Sequence, residues 1–164
     1  MESKEYTTID RKALGWPAGE WDGEPDKVQW QDEATGLPCL AKRNPNRGNW
    51  CGYVGVSPGH PLYGKEGYDF DLDVHGGITY SDACDGRPED VGICHVPGEG
   101  EPDHAWWLGF DCAHAWDYSP EDVKRDREEG GIWRICSDQR YRSLAYVKSQ
   151  CRDLARQLKE ASQP

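Results

Sequence analysis

The sequence predicts an α+β fold: a mainly antiparallel sheet with irregular loops, packed by a long C-terminal helix. Three observations carry this reading. Tyr141, Leu144, Val147, Cys151, Leu154 and Leu158 recur at spacings of three and four, with Ala145 and Ala155 beside them. That is one apolar stripe on a helix, expected over 138–160, whose natural role is to cover a sheet. Short runs such as "LPCLAKRN", "WCGYVGVS" and "HAWWLGF" read as strands, set apart by turn-forming stretches such as "NPNRGN". In "DFDLDVH", residues 69–75, Phe70, Leu72 and Val74 alternate with Asp69, Asp71, Asp73 and His75, which is the period of a half-exposed strand.

The remaining elements follow in order. Residues 1–12 are polar and read as a flexible start, and the turn-rich segment after them places Val28 and Trp30 on one face of a short strand. Residues 81–103 are rich in Gly, Pro, Asp and Glu and form a long irregular connection. Ser119 before Pro120 caps a short polar helix that Gly130 and Gly131 stop, and "IWRIC" reads as a brief strand. A chain of 164 residues is one domain, 1–164, by the usual size of domains.

The net charge of −11 is unevenly spread. From Ser137 onward six Lys or Arg face three acids, giving +3, so the rest carries −14. An acidic body argues against a nucleic-acid backbone as the main partner, since phosphate backbones need concentrated positive charge. The chain has seven cysteines, an odd number without any CxxC pair, and "MESKEYTTIDRK" contains no apolar signal segment. No run approaches membrane-spanning length, so no membrane partner is expected. The expectation is a cytoplasmic protein with reduced, partly buried thiols.

Two stretches carry candidate chemistry. His75 precedes Gly76-Gly77, where the missing side chains let a ligand or another chain segment approach. In "WWLGFDCAHAWD", Asp111 and His114 share a side if they lie in a helical turn, and Asp117 can join them. Imidazole and carboxylate together are ordinary ligands for Zn, Mn or Fe. The leading reading is a divalent metal held by His75, Asp111 and His114, with Asp73 or Asp117 positioning water. Such a centre would make the chain a small metal-dependent hydrolase of a small or nucleotide-like substrate. The spacing matches no HExxH-type motif. A thiol reading instead makes Cys112 the nucleophile, with His75 or His114 as base. Cys84, Cys94 and His95 are candidates for a structural zinc. His60, Tyr63 and Tyr80 are candidates for a pocket rim. GxxxxGK[ST], SxxK and GxSxG are all absent. The reading from a different class is a non-enzymatic binding protein that engages a host protein or sequesters a small ligand, its histidines structural.

The segments "CGYVGVSPGHPLYG", "DVHGGITY" and "WWLGFDCAHAWD" resemble small uncharacterised proteins of bacteriophages and bacterial genomes, over about Gly36 to Asp117. The resemblance implies a phage-encoded accessory protein acting in the host cytoplasm. It implies no catalytic assignment.

Overall fold

The computed structural model describes residues 1–101, 103–131 and 135–163. Its centre is a six-stranded antiparallel sheet with strand order β1-β2-β3-β4-β6-β5. The strands are β1 (Lys4–Tyr6), β2 (Lys27–Gln31), β3 (Pro38–Arg43), β4 (Trp50–Val56), β5 (Tyr80–Ala83) and β6 (Trp106–Asp111). A parallel pair, β7 (Asp117–Tyr118) with β8 (Arg140–Tyr141), sits apart from it. Among the described residues three α-helices, α1 (Arg11–Leu14), α2 (Pro120–Glu128) and α3 (Leu144–Ala161), and a 3-10 turn at Gly67–Asp69 complete the fold. The α+β architecture with a covering C-terminal helix is therefore as the sequence predicts.

α3 lies against β3 and β4. Val147, Cys151, Leu154, Ala155 and Leu158 form its buried stripe, and they meet Cys39, Ala41, Val54, Leu108 and Phe110 from the sheet. The contact is close because Gly52 has no side chain. A Cβ there would lie 2.5 Å from the Phe110 ring and 2.8 Å from the Cys151 sulfur. The other sheet face carries a smaller core of Leu40, Tyr53, Ala105 and Trp107, to which Tyr80, Cys84 and Ile93 contribute. Trp106 and Trp107, adjacent in sequence, thus serve opposite faces.

Several boundaries differ from those expected. Lys4–Tyr6, within the polar start, pairs with β2 as an edge strand. α3 begins at Leu144 rather than 138, because Arg140–Tyr141 pairs with Asp117–Tyr118 and the Ser143 hydroxyl then caps the helix. The stretch 69–75 is not a strand. After a 3-10 turn that ends at Asp69 it runs beside α3, and the backbone of Asp73 and His75 is met by helix side chains. The Asp73 N–H donates to Gln157 Oε1 (2.7 Å), Gln157 Nε2 donates to the Asp73 carbonyl (2.7 Å), and the His75 N–H donates to Gln150 Oε1 (2.9 Å). The alternation is real: Phe70, Leu72 and Val74 pack on the core, while Asp69, Asp71 and Asp73 meet solvent. Residues 132–134 of the expected strand "IWRIC" lie outside the described residues. Among the described residues, no helix is long and apolar enough to cross a membrane.

One buried ionic cluster ties these parts together. Arg43 has a fully buried side chain. Its Nη1 donates to the Gly48 carbonyl (2.6 Å) and the Tyr141 hydroxyl (2.9 Å), and its guanidinium stacks over Trp50 (4.4 Å). Glu24 and Asp26 balance its charge at 3.4 Å each. Glu24 also accepts from the Tyr141 hydroxyl and from the Leu144 N–H, both at 2.5 Å. A carboxylate thus sits on the N-terminus of α3, where the helix dipole favours negative charge. Asp26 is held in turn by Arg11 (2.6 Å) and by the backbone N–H groups of Thr8 (2.8 Å) and Ile9 (2.9 Å).

Breaking a buried ion pair from one side leaves the other charge stranded. Arg43→Met is therefore expected to lower unfolding free energy in urea by about 3–5 kcal/mol. Arg43→Lys should recover little of that loss, because one ammonium cannot stack on Trp50 and fork to Gly48 and Tyr141.

Candidate functional site

The two stretches singled out in the sequence do meet. His75 follows the extended run along α3, in a turn closed by the Gly77 N–H donating to the Val74 carbonyl (2.9 Å). Asp117 arrives from the turn after β6, where its backbone N–H donates to the His114 carbonyl (2.9 Å). The side chains are buried together, 5 % exposed for His75 and 1 % for Asp117, with His75 Nε2 2.8 Å from Asp117 Oδ2. The other ring nitrogen, Nδ1, lies 2.7 Å from the Tyr146 hydroxyl. Facing a carboxylate, Nε2 carries a proton and donates to Asp117, while Nδ1 and the Tyr146 hydroxyl share the second bond. Asp117 Oδ1 takes a 2.7 Å bond from Arg142 Nε, and Oδ2 also accepts the His114 N–H at 3.1 Å. Arg142 further lies over the Tyr146 ring, 5.0 Å from its centroid.

His114 occupies a second layer of this cluster. Its ring stacks on Trp116 at 5.0 Å and 13°, and its centroid is 5.6 Å from that of His75. The seat exists because Gly76, at φ 68°, has no Cβ; one placed there would fall 1.9 Å from His114 Nε2. The paired glycines therefore admit another chain segment. His114 Nε2 is buried without a hydrogen bond, 3.7 Å from Asp111 Oδ1. Asp111 is itself engaged, accepting from the Thr79 hydroxyl (3.0 Å) and the Ala113 N–H (3.1 Å).

This arrangement corrects the metal reading. His75, Asp111 and His114 were expected to share a Zn, Mn or Fe ion, but both ring nitrogens of His75 are consumed by Asp117 and Tyr146, leaving no lone pair to offer. Among the described residues, the His, Cys, Asp and Glu donors close enough to hold an ion are those of Cys84, Cys94 and Asp103, within 4.8 Å of one another. Cys84 and Cys94 are joined in a disulfide, so they present no thiolates to a metal. The expected metal-dependent hydrolase, its divalent cofactor and the structural zinc at Cys84, Cys94 and His95 all fall with this. The same bond corrects the expectation of reduced thiols at Cys84 and Cys94, a pairing that a count of seven cysteines left open.

The other expected residues are also placed. Cys112 is a core residue, 2 % exposed. Burial, then the nearby Asp117 charge, pushes its thiol well above the ordinary range, the opposite of what a nucleophile needs. Asp73 points away from the cluster's chemistry into solvent, its backbone held by Gln157. His60, expected on a rim, instead reaches the C-terminal turn of α3, with Nε2 2.8 Å from the Leu158 carbonyl.

Arg142, Tyr146 and Gln150 were not anticipated. For two of them the signal is a second stripe on the same helix: Tyr146, Gln150 and Gln157 follow the 3.6-residue period beside the apolar one, and Arg142 stands four residues before Tyr146, just ahead of the helix.

Beside the His114 ring lies a cleft of about 410 Å³, lined by Tyr118, Arg47, Arg125, Asp122 and Glu129 among others. Trp116, at the cluster's edge, is 47 % exposed. A larger groove of about 910 Å³ along Trp30, Lys148 and Arg152 shares none of these residues, and there Lys148 already covers the Trp30 ring at 5.3 Å. Comparison with known proteins finds no matching family model, no matching curated protein and no matching solved structure.

Burial makes an alkaline test of Cys112 direct. Cys39, Cys112 and Cys151 all have thiols raised by burial. A group raised on folding contributes stability that is complete below its unfolded value and is lost as pH climbs past it. The unfolded thiols titrate near about 8.5, so stability in urea is expected to fall between pH 8.5 and 10. Cys112→Ala should flatten that fall by up to about 1.4 kcal/mol per pH unit, and iodoacetamide should leave Cys112 of the native protein unmodified at pH 8.

Proposed function

We propose that this chain is a non-enzymatic binding protein that takes a small ligand in the cleft beside His114 and Tyr118. The observation that carries the reading is the double commitment of His75. A general base must present a free nitrogen to a reactant, and His75 has both nitrogens turned inward. Its work is positional: with Asp117 and Arg142 it fixes the turn that carries the His114–Trp116 stack.

The character of the cleft supports a ligand of stated chemistry. Aromatic edges from His114 and Tyr118 stand beside Arg47 and Arg125 on one side of the charge balance and Asp122 and Glu129 on the other. A small planar molecule bearing groups of both signs suits that lining, and about 410 Å³ is within the usual size range of small-molecule sites. The proposal retains the bacterial cytoplasm as the setting, as a phage accessory protein, on the strength of the resemblance in "DVHGGITY" and "WWLGFDCAHAWD".

A ¹⁵N–¹H spectrum of the full chain, titrated with adenosine, tryptophan amide and p-aminobenzoate, tests the reading. Saturable shifts gathered on residues 113–118, Arg125 and Gln139, abolished by His114→Ala, are expected. Shifts scattered elsewhere, or none from any probe, would contradict a small-ligand cleft and leave a host protein as the partner to seek.

A further inference from the structure

The back of the sheet, turned away from α3, carries a charge arrangement that the His75 cluster does not use. Lys27, Lys42, Cys51 and Asp111 stand opposite one another across β2, β3, β4 and β6, in one row. At the end of β2 and β3, a cavity of about 80 Å³ is lined by Thr8 and Ile9 and by Arg87, Asp90 and Val91. Its ionisable lining is Asp26, Lys42, Arg43, Arg87 and Asp90.

Most of this charge is not available. Asp26 is spent on Arg11, Arg43 and two backbone N–H groups. Arg43 is spent as well: its Nη atoms serve Gly48, Tyr141 and Glu24, and its fully buried Nε faces Asp26 Oδ1 at 3.4 Å. Lys42 and the Arg87 guanidinium are different. Among the described residues neither has an acid within ion-pair distance or a hydrogen-bond partner for its charged end. Lys42 is half-buried, and its ammonium is held below the ordinary lysine range first by burial and then by repulsion from Arg87. Two cations thus repel one another at the cavity, one half-buried and one exposed, with Asp85 and Cys51 offsetting the burden on Lys42 only in part.

Arg87 is not there by chance flexibility. The disulfide Cys84–Cys94 closes the base of its loop. Asp85 accepts the backbone N–H of Arg87 (3.1 Å) and of Ile93 (2.9 Å), and the Val91 and Gly92 N–H groups fold back on the Pro88 carbonyl. Lys27 anchors the loop from below, donating to the carbonyls of Glu89 and Cys94.

We propose that this cavity binds a phosphoryl-type dianion, held between the Lys42 ammonium and the Arg87 guanidinium. A guanidinium fork matches two phosphoryl oxygens, and an ammonium supplies a third charge-assisted bond as a point charge. A carboxylate would neutralise only one of the two cations; a dianion answers both. With the volume of a few water-sized groups, the cavity takes a phosphoryl head and leaves anything attached to it in solvent. Asp90, exposed on the rim, opposes the anion and weakens the site.

The test is a calorimetric titration of the full, oxidised chain at low ionic strength with inorganic phosphate and, separately, with phenyl phosphate. One saturable site per chain is expected. Lys42→Met and Arg87→Met should each weaken it about tenfold or more, and Asp90→Asn should tighten it several-fold. Binding of both probes assigns a phosphomonoester head; binding of inorganic phosphate alone assigns the free ion. Arg87 and Asp90 are exposed, so their substitutions stay informative even if Lys42→Met fails to fold. Absence of saturable binding, or binding unmoved by the Arg87 and Asp90 substitutions, overturns the proposal.

Discussion

The fold depends on a positive charge placed where water cannot reach it. Arg43 ends β3 with its guanidinium on Trp50 and no exposed surface, and an isolated charge there would be prohibitively costly. The turn-rich segment before β2 exists in its present shape because it must bring Glu24 and Asp26 to that charge. Glu24 then does a second job, capping α3 at Leu144. The start of the helix is thereby fixed relative to the sheet, and with it the rotation that presents Tyr146, Gln150 and Gln157 along one line.

That line organises the candidate site. Gln157 and Gln150 take the backbone of Asp73 and His75 as a neighbouring strand would. Tyr146 meets the His75 ring, and Arg142, just before the helix, meets Asp117. The His75–Asp117 pair thus resembles catalytic machinery in its members while differing in its accessibility. Every donor and acceptor on the pair is turned toward another part of the same chain. What remains open to solvent is the shelf it supports, His114 stacked on Trp116, and the mixed-charge cleft alongside.

The elements legible from sequence are those whose packing repeats along the chain. The stripe from Tyr141 to Leu158 announces α3, aromatic-rich runs announce β4 and β6, and the short run "LPCLAKRN" before a turn-forming stretch announces β3. The run 69–75 shows the limit of such patterns. Alternation reports which side chains are buried, and it says nothing of whether the backbone is paired with a strand or with glutamines. His75 and Asp117 were both legible as special, since one precedes two glycines and the other closes a His-containing turn. Their relation was not, because 42 residues separate them and the residues that decide their roles, Tyr146 and Arg142, lie on α3 and just before it. The Cys84–Cys94 bond was invisible for a similar reason: seven cysteines permit many pairings, and only the fold of the loop selects one.

The central claim is that His75 is a buried positioning residue with both nitrogens occupied, and NMR of its imidazole addresses it most directly. The expected result is a slowly exchanging Nε2–H resonance close in space to the His114 amide, and a protected Tyr146 hydroxyl proton. A His75 ring whose protons exchange freely with water, or whose Nδ1 is solvent-accessible, would contradict it and reopen a catalytic role for the pair.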